Sequence, residues 1–224
     1  MKRTLLCLTI FAIAMAYLEA AVVVYIRELY YPANIRQIFP PFLLSGRDIA
    51  VELAREVSTV VMMLSVAFLA FWKNPTKIFA AFVFQFGVWD IFYYIWLKVT
   101  IGWPVSLGEW DILFLIPWAW LGPWICPVLI SLLFVLWGGL VLKSGQDISL
   151  RRPDVFWFVT GSLLALAAFL QPALQVFLKG GIEAFRSYQP GGFWWWLFVP
   201  GYLVMSYGLL RGVLFRRSSL GTTH

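Results

Sequence analysis

Six apolar stretches recur along this 224-residue chain, at 4–26, 48–71, 78–98, 122–142, 154–178 and 193–214. About 20 apolar residues in a helix are enough to cross the ~30 Å hydrocarbon core of a bilayer. Hydrophobic residues make up 62% of the chain and charged residues 12%, where a soluble domain is about 25% charged. Mean hydropathy is +0.83. A water-soluble core of this size could not hide so much apolar surface. Disorder, a disulfide scaffold and a collagen-like fibre are excluded on the same grounds. The fold class expected is all-α: a polytopic integral membrane helical bundle forming one membrane domain over 1–224, with six transmembrane helices plus one short outer interfacial helix.

Local signals punctuate these stretches. Ser45-Gly-Arg-Asp48 has the form of a capping box at the start of the second helix, and Asn74-Pro75 suits an N-cap and first position for the third. Pro153-Asp154 opens the fifth, and Lys179-Gly180-Gly181 ends it. Met1-Lys2-Arg3, followed by apolar residues and Ala14-Met15-Ala16, resembles a secretory signal with a cleavage site. The apolar run nevertheless continues to Ile26, so the first segment is read as a retained helix; cleavage would leave five spans. Residues 110–142 are too long for one span, at roughly 50 Å for ~1.5 Å per residue. Pro117 and Gly122-Pro123 break that stretch, and Ser106-Leu-Gly-Glu109 reads as a capping box opening a short helix through Ile116, expected to lie along the outer interface. No internal repeat is visible.

Orientation follows from Lys and Arg. With the N-terminus in the cytoplasm, ten basic residues fall on the cytoplasmic side and six outside. The positive-inside rule then places the chain in a cell (inner) membrane, multi-pass, with both termini cytoplasmic. It also accounts for the net charge of +6 without a nucleic-acid partner. The partners expected are the lipid bilayer and, in one reading, other membrane subunits.

Scarce residues narrow the chemistry. The one histidine is His224, and the two cysteines, Cys7 and Cys126, lie far apart in apolar stretches. No haem and no histidine- or cysteine-ligated metal is expected, and no Ser-His-Asp triad is available. The cofactor is otherwise unknown. No phosphate-binding glycine loop occurs.

The acids are unevenly spread. Of eleven, only Asp147 and Asp154 belong to the cytoplasmic side. Asp48, Glu109 and Asp111 are explained as helix-start residues, and the outer tryptophans as an interfacial belt. Glu19, Glu52, Arg55, Glu56 and Asp90 resist that account, because they lie within spans. A charge there costs roughly 2.5–3.5 kcal/mol on insertion scales, so it faces the bundle interior and finds partners. Asp48, Glu52, Glu56 and Thr59 share one face of the second helix, and Arg55 can pair with Glu52 at i,i+3. Asp90, Tyr94 and Lys98 recur at i,i+4 on the third. Ala12, Ala16 and Ala20 form a small-residue track on the first. The expected site is thus a carboxylate/arginine cluster of Glu19, Glu52, Arg55, Glu56 and Asp90 in the outer half of helices one to three. Tyr94, Lys98, Arg27 and Glu28 would rim it, and Gln171 and Gln175 could join.

Such a cluster could bind a cation, a proton or a small polar or lipid ligand. It could instead serve a membrane-embedded acid–base enzyme acting on a lipid or isoprenoid, since a carboxylic acid can protonate a double bond and aromatic faces stabilise the resulting cation. A third reading is an accessory subunit of a larger membrane complex, with the charges acting as a register or interface device. A carboxylate-only Mg²⁺ or Mn²⁺ site is a variant of the first two. Whether the chain is an enzyme is left open by its residues.

Overall fold

The computed structural model describes residues 2–144 and 151–218; Met1, Asp147 and His224 lie outside them. The elements run α1 (Lys2–Tyr30), α2 (Gly46–Phe71), α3 (Pro75–Ile101), β1 (Trp110–Phe114), β2 (Trp120–Pro123), α4 (Ile125–Lys143), α5 (Arg152–Gly180), a 3₁₀ turn at Ile182–Ser187 and α6 (Trp195–Ser218). Among the described residues, α1 to α5 are each long and apolar enough to cross a membrane.

The expected helix boundaries hold to within a few residues, for local reasons. Ser45 caps α2 by accepting the Asp48 N–H at 3.2 Å while its hydroxyl donates to Asp48 Oδ2 at 2.7 Å. Asn74 Oδ1 accepts the Lys77 N–H at 2.9 Å ahead of Pro75. Asp154 Oδ2 accepts the Arg151 N–H at 3.1 Å at the head of α5. Gly181, at φ +65°, ends α5 by donating to Phe177 at 2.7 Å. Pro172 and Pro200 sit inside α5 and α6, which run on through them.

Helix α3 is the hub, packing on α1, α2 and α4, while α5 and α6 form a closely packed pair. The pairings follow small residues. Ala12, Ala16 and Ala20 are buried on α1. A Cβ on Gly138 of α4 would lie 2.7 Å from the Ala80 carbonyl of α3, and one on Gly161 of α5 would lie 2.2 Å from the Met205 nitrogen of α6. Backbones this close need glycine, which is how helices associate where lipid removes the hydrophobic drive between them. Large apolar side chains such as Leu18 and Leu69 face outward, so the outer surface of the helices is itself apolar.

The short outer helix is replaced by a β-hairpin. Its strands pair antiparallel, with Asp111 opposite Gly122, Ile112 opposite Leu121 and Phe114 opposite Trp120, and an irregularity between Ile112 and Phe114. The Ser106–Glu109 string does close a turn, since Glu109 Oε1 accepts the Ser106 N–H at 3.2 Å. The chain beyond it is Trp-Asp-Ile-Leu-Phe, which favours extended backbone. The hairpin also packs into the bundle rather than along the interface: Leu121, Gly122 and Pro123 are buried, and Trp120 stacks on Phe169 of α5 at 6.0 Å. Buried backbone must find hydrogen-bond partners, and two strands supply them to each other. The helical-bundle expectation holds, and the short outer interfacial helix is corrected to a two-stranded hairpin.

Candidate functional site

Three helices and the hairpin converge on the charged cluster. Arg55 of α2 is its centre. Its Nε and Nη2 donate to Glu52 Oε2 at 3.0 and 2.7 Å, and its Nη1 forms an ion pair with Glu19 of α1. The Thr59 hydroxyl lies 3.3 Å from Glu19 Oε2 and 3.1 Å from the Arg55 carbonyl. One turn from Glu52, Glu56 takes a different partner: both its oxygens accept the Leu115 N–H, at 2.9 and 3.0 Å. Glu56 thereby ties the end of β1 to α2.

Asp111 is the residue that sequence reasoning set aside. Read as a helix-start acid, it is in fact 3% exposed on β1, where Arg27 Nη2 of α1 donates to its Oδ1 at 3.4 Å and Tyr94 of α3 donates to its Oδ2 at 3.2 Å. Burial pushes the Asp111 carboxyl up to about 6, against the opposing pull of Arg27. Arg27, expected at the rim, is equally buried, with its guanidinium 4.0 Å from the centre of the Trp103 ring. Among the described residues its enclosed Nη1 has no hydrogen-bond partner. Alternation along β1 would have shown Asp111 pointing inward, but only once the segment was known to be a strand.

A cavity of about 370 Å³ opens beside Arg55 and Asp111. Arg27, Arg47 and Arg55 line it together with Asp48, Glu52, Glu56 and Asp111, and Tyr30 and Tyr93 face it from α1 and α3. The segment after α1 closes one side with Ile38, Phe42 and Leu44, and α1 adds Val23 and Ile26. Positive, negative and apolar surfaces thus meet in one space.

Four of the expected cluster residues come together: Glu19, Glu52, Arg55 and Glu56. Tyr94 joins them through Asp111. Asp90 and Lys98 do not join. Asp90 accepts the Ser131 hydroxyl of α4 at 2.8 Å and lines a different cavity. Lys98 is exposed and donates to the Pro104 carbonyl at 2.7 Å, steadying the loop after α3. Gln175 is exposed and Glu28 faces outward. Gln171 is buried on α5, its Oε1 unpartnered among the described residues, and lies outside the cavity lining. The tryptophans do not all form a belt, since Trp89, Trp103 and Trp137 are buried in the bundle.

Among the described residues, no three His, Cys, Asp or Glu side chains converge as a metal ion would need. The carboxylates are instead taken up one by one: Glu19 and Glu52 by a guanidinium, Glu56 by a backbone amide, Asp111 by Arg27 and Tyr94. The arrangement can bind a charged group and hold the hairpin in place. No family model, curated protein or solved structure matches the chain.

Proposed function

We propose that this is a six-span protein of a cell (inner) membrane, with both termini cytoplasmic, whose outer-half cavity binds a small polar ligand bearing a positive charge, a lipid headgroup amine included. One observation carries this reading. The cavity presents four carboxylates to three guanidiniums, and among the described residues Glu56 has no ion-pair partner. An intramembrane carboxylate without a counter-charge marks a place where a cation or proton is handled. The apolar walls beside it suit the hydrocarbon attached to such a headgroup. The sixth span is α6, about 36 Å long at ~1.5 Å per residue, and the excess of Lys and Arg on one side supports the orientation.

The test is native mass spectrometry of the full chain after gentle extraction from its source membrane. A bound small molecule or lipid is expected, and Glu56→Gln should lose it, with affinity falling on the order of tenfold or about 1.4 kcal/mol. The glutamine oxygen can still accept the Leu115 N–H, so the hairpin anchor remains while the charge is removed. No bound mass in the native protein would overturn the reading. A stoichiometric polypeptide in place of a small ligand would make the chain an accessory subunit.

A further inference from the structure

A second cavity, of about 310 Å³, lies on the other side of β1 from the charged cluster. Leu113 and Phe114 face it, while Asp111, Ile112 and Leu115 face the first cavity, so β1 is the wall between the two. Among the described residues six aromatic side chains line it: Phe86, Trp89, Phe114, Trp120, Phe134 and Phe169. Asp90 is the one charged residue in the described lining. The Ser131 hydroxyl satisfies its Oδ2 at 2.8 Å but supplies no charge, and no ion pair to Asp90 exists among the described residues. Asp111, on β1 itself, is already held by Arg27 and Tyr94.

The cavity sits where the α5–α6 pair meets the helices packed around α3. Val60 of α2 and Leu163 of α5 stand in its lining, and Leu163 is 60% exposed. Its rim therefore reaches the lipid-facing surface, and a ligand could enter sideways from the bilayer. The walls exclude a hydrophilic ion, and the carboxylate disfavours an anion. What fits is a positive charge on an apolar body. Aromatic faces attract a cation within about 6 Å of the ring centre, more strongly when water is excluded, and Asp90 supplies the counter-charge that an intramembrane acid otherwise lacks.

We propose that this aromatic cavity around Asp90 is a second binding site, separate from the charged cluster, for a lipophilic cation: an amine or quaternary ammonium carried on an aromatic or alkyl body. The site is independent of the reading of the first cavity, because no charged side chain among the described residues lines both.

The test compares phenyltrimethylammonium with its neutral isostere tert-butylbenzene, using calorimetry on the full chain in detergent. The cation is expected to bind saturably and about tenfold tighter than the isostere. Asp90→Asn should erase that preference, because the amide oxygen still accepts the Ser131 hydroxyl while the charge is gone. Val60→Trp, which fills the cavity from its rim, should weaken both probes about tenfold or more. If Asp90→Asn fails to fold, the isostere comparison and Val60→Trp decide the matter. Equal binding of the two probes would show a merely apolar void and overturn the proposal. So would absence of cation binding, or cation binding that survives both substitutions.

Discussion

Arg27 and Asp111 form the most enclosed ion pair in the described residues, each 3% exposed, on elements 84 positions apart. A buried pair is weak evidence for net stability, because desolvation offsets attraction; losing one partner is different, since it strands a charge. Arg27→Met should lower the unfolding free energy by about 3–5 kcal/mol. The double variant Arg27→Met/Asp111→Leu should recover most of that loss, measured as the midpoint of thermal unfolding in detergent. Asp111 also gives a pH dependence. Its carboxyl titrates near 6 in the folded protein, above the ordinary value of 3.8. Between those values the folded form binds more protons than the unfolded chain, so stability falls as pH rises from about 4 to about 6 and is level above that. The contribution is on the order of 3 kcal/mol at most, and Asp111→Asn should flatten it, read from unfolding midpoints at several pH values across this interval.

Among elements, the hairpin and the glycine contacts decide how the helices sit. The hairpin is held at both ends of β1: by Asp111 to α1 and α3, and by the Leu115 amide to Glu56 on α2. It separates a charged cavity from an aromatic one, and neither space would have its present wall if the segment were the helix its capping string suggested. The α5–α6 pair depends on Gly161, where a Cβ would meet the backbone of Met205 at 2.2 Å. Gly192 has nothing within 4 Å of its added Cβ. Gly161→Ala should therefore cost about 1–3 kcal/mol, as overpacked positions do, while Gly192→Ala should be close to neutral. Parallel thermal unfolding of the two variants checks this, and similar midpoints would contradict the close approach.

At the scale of the whole molecule, the outer-site reading rests on topology. The loop after α3 and the α2–α3 turn should lie on opposite faces of the membrane. Gly108 is exposed and a side chain there meets nothing within 4 Å, and Lys73 is exposed in the other turn. Gly102 is a poor probe, since its φ of +69° and the Arg36 guanidinium 2.9 Å from an added Cβ both resist substitution. In a Cys7→Ser background, Gly108→Cys should react with an impermeant maleimide added to intact cells. Lys73→Cys should react only after the membrane is opened. The reverse pattern would invert the orientation and place the charged cavity on the cytoplasmic face.

Where the helices run is legible in the chain, because apolar length, composition and caps are local properties. The starts of α2 and α3 rest on side chains three residues from the amides they accept, and Glu52 and Arg55 meet because they are three residues apart on one helix. The acids within the long apolar helices were legible for the same reason, since a charge on such a helix needs a partner wherever the helix packs. The remaining features depend on contacts between distant segments. The strand character of 110–114 depends on a partner strand ten residues on and on α5 behind it. The burial of Asp111 depends on an arginine from α1, and the separation of Asp90 from Glu52 and Glu56 depends on the hairpin standing between them. Periodicity assigns a residue to a face of its own element, but the choice of neighbour is made by backbones that must close their hydrogen bonds and by glycines that let two helices touch.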